Sequence, residues 1–151
     1  MPSVRVFVAE FMWQRIKNLF LSFRAYGVLS PDLRVRRQVN HRLCDRPRLT
    51  FQQWFDQYWK PMGIAPAIAQ FAYTRFEKYS GLSFSHVLPE DRLEELQWTR
   101  VCWYDWEMTL CDDFLQVFGV DVSDEIEDTP IDRISDLVRL LNQQAALARK
   151  V

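Results

Sequence analysis

Glycine is scarce in this chain, with four in 151 residues, and so are histidine, with two, and cysteine, with three. A β-sandwich or barrel needs a turn signal about every 8–12 residues, and so few glycines with so few β-branched clusters do not supply one. Cys44, Cys102 and Cys111 are odd in number and show no C-x-x-C spacing. That excludes a disulfide framework and the usual zinc patterns and predicts buried thiols. His41 and His86 stand far apart with no ligand pattern around them. No glycine-rich phosphate loop, H-E-x-x-H or G-x-S-x-G is present, and Cys111 has no neighbouring histidine to act as a base. No run reaches the roughly 18 apolar residues of a spanning helix. Glu10, Arg15 and Lys17 interrupt the apolar N-terminus where a signal peptide would stay apolar. The absences together predict a cytoplasmic, soluble, all-α protein without catalytic residues, cofactor or metal.

What is abundant is apolar and aromatic surface. With 48% hydrophobic and 15% aromatic residues, the chain can bury a sizeable core as one domain or as one domain with a helical extension. The formal net charge of −1 hides an asymmetry: residues 1–60 carry 11 Lys/Arg against 4 Asp/Glu, and residues 61–151 carry 8 against 16. Such a bipolar chain favours docking of its halves on each other or two charge-selected partners.

Helical spacing recurs along the chain. Phe7, Phe11, Ile16, Leu19 and Phe23 leave Glu10, Gln14, Lys17 and Arg24 on a polar stripe, which predicts an amphipathic helix suited to packing within the chain or on a second copy. Ser30-Pro31 predicts the start of a short basic helix that holds Leu33, Val35, Val39 and Leu43 inward and Arg34, Arg36, Arg37 and Arg42 outward. Thr50-x-x-Gln53 is a capping box, and Lys60-Pro61 with Gly63 ends the aromatic helix it opens. The stretch 60–66 is the expected boundary between a basic helical extension, residues 1–62, and an acidic helical domain, residues 63–151. In the second part, Pro66 to about Tyr79 reads as a helix closed by Gly81. A long loop with a short helical turn at Glu90–Leu96 follows, then a helix over 103–118 stopped by Gly119, a connection with one short turn, and a last helix after Thr129-Pro130.

The order of these elements, with "FGVDVSDE" at 118–125 and "ISDLV" at 134–138, resembles the acyl carrier proteins over about residues 66–145. The resemblance implies a four-helix acyl-carrier-like unit, preceded here by an extension of about three helices. It also implies a serine at the start of the second helix, where the helix dipole and free N–H groups favour the phosphate of a phosphopantetheine arm. In the family that serine stands about fourteen residues before the phenylalanine matched by Phe118. The position is Tyr104, after Trp103, and no serine lies between Ser85 and Ser123. The arm's attachment site is absent.

The resulting expectation is a non-catalytic adaptor or regulator that binds a partner with a basic surface. The residues expected to carry it are Asp105, Asp112 and Asp113 on the acidic helix, Glu94 and Glu95 in the loop, and the aromatics Trp98 and Trp103, since tryptophan is over-represented among binding hot spots. Arg34, Arg36 and Arg37 form a second charged face. The N-terminal helices are expected to support oligomerisation. The basic segment carries no zinc finger, helix-turn-helix pair or RNP-type motif, which argues against nucleic acid, and a membrane surface is the weaker alternative for it.

Overall fold

A computed structural model describes residues 30–150. Pro31–Val151 forms one compact unit. Among the described residues the regular elements are helices, and the one extended pairing is an isolated antiparallel bridge between Arg92 and Arg133. The all-α expectation holds there. The amphipathic helix expected over residues 7–23 lies outside the described residues.

Helix α1 (Leu33–Leu43) is capped by Asp32, not Ser30: its carboxylate accepts from the backbone N–H groups of Arg34 and Val35. Asp32 also meets the Arg100 guanidinium at 3.2 Å, which fastens the start of α1 to the chain around residue 100. Val35, Val39 and Leu43 point into the core as their spacing predicts, whereas Leu33, expected inward with them, sits in the first turn and is 64% exposed.

Helix α2 (Phe51–Trp54) opens on the expected Thr50/Gln53 capping box. It continues directly into a π turn, Phe55–Trp59, and a 3-10 turn, Lys60–Met62, ended by Gly63 at φ 76°. Pro61 has no N–H to extend the ladder. The i→i+5 bonding sets Trp59 a little over one turn beyond Trp54, and both rings are buried 5.3 Å apart. Trp54 and Trp59 belong to the same core as Ile68, Phe76 and Leu141. The stretch 60–66 is therefore a turn within one unit rather than the expected seam between residues 1–62 and 63–151.

Helix α3 (Pro66–Ser80) begins at its proline and buries Ile68, Phe71, Ala72, Phe76 and Tyr79. Gly81 closes it at φ 68°, and a Cβ there would lie 2.9 Å from Nε of Arg36. Arg36 is not outward as its position on α1 suggested. Its Nε donates to the carbonyl of Val101 at 2.7 Å and its Nη2 to that of Tyr79 at 3.3 Å, satisfying carbonyls near two helix C-termini.

Residues 81–105 hold a 3-10 turn, Phe84–His86, and a single-turn helix, α4 (Trp98–Val101). The helical turn expected at Glu90–Leu96 is a series of turns instead. The Leu93 N–H there is committed to the carbonyl of Asp132 across the isolated bridge, and Gln97 in the left-handed region (φ 53°) separates those turns from α4. Asp91, in the loop ahead of these turns, is buried: Arg46 grips it with bonds of 2.6 and 2.9 Å, and it accepts the Leu88 N–H at 2.8 Å.

Helix α5 (Trp106–Phe118) starts three residues later than expected and ends at Gly119 (φ 71°) as expected. A distinct short helix, α6 (Ser123–Asp128), follows. Helix α7 (Ile134–Arg149) is fixed at its start by the Asp136 carboxylate, which accepts from the backbone N–H groups of Asp132 and Arg133. It buries Ile134, Leu137, Val138, Leu140 and Leu141 at helical spacing, while Ile131, expected inward with them, lies before the helix and is only partly buried. Trp98 sits at the aromatic centre, with Phe76, Phe84 and Trp106 around it at 5.8–6.2 Å in edge-to-face contacts.

Candidate partner-docking surface

Ten Asp/Glu and no Lys, Arg or His occupy residues 101–132. This base-free run makes up α5 and α6, and most of its carboxylates are exposed. Leu110 and Phe114 turn the inner face of α5 into the core, with Phe71 packed edge-on against Phe114 at 5.4 Å. On the opposite side, Asp105, Met108, Asp112 and Leu115 follow at i, i+3, i+7 and i+10, a spacing that aligns them along one strip. Met108 is 71% exposed and Leu115 48%, and Tyr104, just ahead of the helix, is 76% exposed. Carboxylates and large apolar side chains thus alternate on an outward face. Large exposed apolar groups gathered in one place mark interaction surfaces more often than singly scattered ones.

The ten expected site residues do not form one patch. Asp105 and Asp112 are exposed on the outer strip. Asp113 is not: it accepts the Tyr79 hydroxyl and lies 3.6 Å from the Arg75 guanidinium, which clasps α5 to α3. Burial first, and then the hydrogen bond to that carboxylate, hold the Tyr79 phenol well above its ordinary range. Trp98 is 2% exposed and belongs to the core, whereas Trp103 is 41% exposed. Val117, near the end of α5, is exposed as well. Glu94 and Glu95 are exposed in the turns before α4, and the Glu95 carbonyl accepts from Arg42. On α1, Arg34 and Arg37 are exposed, while Arg36 is spent on the two carbonyls. Arg42 and Arg46 likewise serve internal contacts, so the basic face is thinner than the sequence suggested.

Two neighbouring concavities border the strip. One of about 550 Å³ is lined by Leu93, Glu94, Gln97, Trp98, Trp106 and Ile131 among others; a smaller one of about 380 Å³ lies between α5 and α6 beside Met108, Cys111, Asp112 and Ser123. Glu107 and Ile126 line both, so the two are adjacent. Sequence reasoning passed over Glu107, Met108 and Leu115. The signal that could have found them is the run of 32 residues without a base, crossed by apolar residues on the polar side of α5.

Among the described residues no group of three or more His, Cys, Asp or Glu side chains is arranged to hold a metal ion, and no helix is long and apolar enough to cross a membrane. Of the three cysteines expected to be buried, Cys44 is exposed and Cys111 half-buried; Cys102 is buried, and desolvation pushes its thiol well above the ordinary range, the opposite of what a nucleophilic cysteine requires. No protein-family model matches the chain, nor does any curated protein or solved structure.

Proposed function

We propose that this protein is a non-catalytic, acyl-carrier-like adaptor that docks a partner's basic, amphipathic surface on the outer strip of α5 and the adjoining α6. The observation that carries the reading is the composition of that strip, where Asp105 and Asp112 alternate with the exposed Tyr104, Met108 and Leu115 in a segment without a single base. Apolar side chains supply affinity when desolvated, and the surrounding carboxylates select the sign of the partner and speed its approach.

The carrier-like part of the reading is supported by the order α3, long loop, α5, short α6, α7, which is the order of a carrier's four helices with α4 added in the loop. Counting back fourteen residues from Phe118 reaches Tyr104, two residues before α5 begins, where a carrier would present its serine. A basic-face reading centred on α1 is less well supported, because Arg36, Arg42 and Arg46 are engaged internally.

The test titrates a fluorescent synthetic helix of leucine and arginine against the protein, with a leucine and glutamate helix as control. Asp105→Lys/Asp112→Lys should weaken binding about tenfold at low salt, since each exposed charge contributes about 0.2–1 kcal/mol and reversal replaces attraction with repulsion. The difference should shrink as salt rises. Equal binding of the acidic control, or indifference to the double reversal, would sink the reading. Intact mass after treatment with a broad-specificity phosphopantetheinyl transferase and coenzyme A is expected to stay unchanged; a gain of one phosphopantetheine would make the protein a carrier instead.

A further inference from the structure

The larger of the two concavities has features that the outer strip does not explain. Its walls include the rings of Trp98 and Trp106, 5.8 Å apart and nearly perpendicular, and its rim carries the carboxylates Glu94 and Glu107. Glu107 has no hydrogen-bond or ion-pair partner among the described residues, and Glu94 has only an open contact of 3.7 Å with Arg92, its own side chain being 84% exposed. The one cation among the lining residues, Arg100, is drawn aside to Asp32 and to the side-chain oxygen of Gln97, each at 3.2 Å.

A further observation falls on the same wall. Gln97 is the only non-glycine residue in the left-handed region among the described residues, and backbone strain of that kind gathers at ligand sites. An aromatic-walled cavity with two carboxylates among its lining residues suits a cation that is flat and weakly hydrated, which is the description of a guanidinium and not of an ammonium.

On the premise that the partner is basic, we propose that this cavity is the anchor site for one arginine side chain of that partner, its guanidinium lying against Trp106 between Glu94 and Glu107. The outer strip then guides and orients the partner, and this cavity takes the residue that fixes its register. Hot spots cluster in pockets that a partner's side chain fills and desolvates on binding.

The experiment follows backbone and indole amide resonances of the full chain on addition of N-acetyl-arginine amide, with the lysine and citrulline analogues alongside. The expected result is saturable shifts at Gln97, Trp106 and Glu107 in the low-millimolar range with arginine, several-fold weaker binding of lysine and none of citrulline. Glu107→Gln, an exposed substitution that leaves the core untouched, should weaken the arginine response at least threefold, and Trp106→Leu should abolish it. Citrulline binding as well as arginine, or arginine shifts that avoid these residues, overturns the proposal. If the leucine and arginine helix binds the α5 strip while the arginine amide leaves the cavity silent, the anchor falls and the adaptor reading stands. If the arginine amide fills the cavity and that helix does not bind, the cavity stands and the docking surface falls.

Discussion

Asp91 offers the sharpest separation between a carboxylate on an open face and one that holds the fold. Its side chain is 9% exposed, accepts two bonds from Arg46 and one from the Leu88 N–H, and thereby ties the segment after α1 to the loop before α4. Removing one member of a buried ion pair costs about 3–5 kcal/mol because the other is left uncompensated. Arg46 is about a third exposed, so water softens that figure to roughly 2–3 kcal/mol. The stranded Leu88 N–H adds about 1 kcal/mol. Asp91→Ala should therefore cost about 3–4 kcal/mol, seen in urea as a midpoint lowered by roughly 2 M for a slope near 1.5 kcal/mol/M. Asp112→Ala, on the open face of α5, should stay within about 0.5 kcal/mol. A double-mutant cycle with Arg46→Met and Asp91→Asn should return a coupling of about 1.5–3 kcal/mol. If Asp91→Ala costs less than about 1 kcal/mol, the pair behaves as a surface ion pair and the assignment of Asp91 to the fold is wrong.

The clasp between α3 and α5 has a signature in alkali. A Tyr79 phenol raised above the unfolded value of about 10 contributes stability that is complete below that pH and is lost as pH rises. Thermal melts should therefore weaken above about pH 10, and Tyr79→Phe should make the decline shallower; an unchanged slope would show that the phenol ionises as freely folded as unfolded. Two glycines separate strain from crowding. Gly63→Ala meets no atom within 4 Å and should cost about 1 kcal/mol from its positive φ alone, whereas Gly81→Ala also drives a Cβ against the pinned Arg36 and should cost about 1–2 kcal/mol more. Equal losses in chemical denaturation would mean that Arg36 yields freely.

Much of the framework is legible because its signals are local. Pro66 and Gly81 bracket α3, Thr50 and Gln53 cap α2, Gly119 ends α5, and the apolar spacing of α7 names the side it buries. The features that escaped are those in which a long-range partner decides. Ser30-Pro31 has the form of a helix start, yet Asp32 wins the cap, where its carboxylate can also reach Arg100. Spacing continues through Trp103 to Trp106, yet the chain at Cys102 is extended, and Trp103 and Tyr104 turn outward before α5 begins.

Charge was the least legible quantity for the same reason. A sequence counts Asp91, Asp113, Arg36 and Arg46 as surface charges of equal standing with Asp105, Asp112, Arg34 and Arg37. Each of the first four is claimed by a partner far along the chain, Asp91 by Arg46, Asp113 by Tyr79 and Arg36 by the ends of two helices. Subtracting them removes positive charge from around α1 and leaves the outer face of α5 and α6 with its negative charge nearly whole. The bipolarity of the sequence therefore reaches the surface of the described residues one-sidedly, as an acidic face with exposed apolar side chains, and that is the reason the proposed docking site is sought on α5 and α6 rather than on α1.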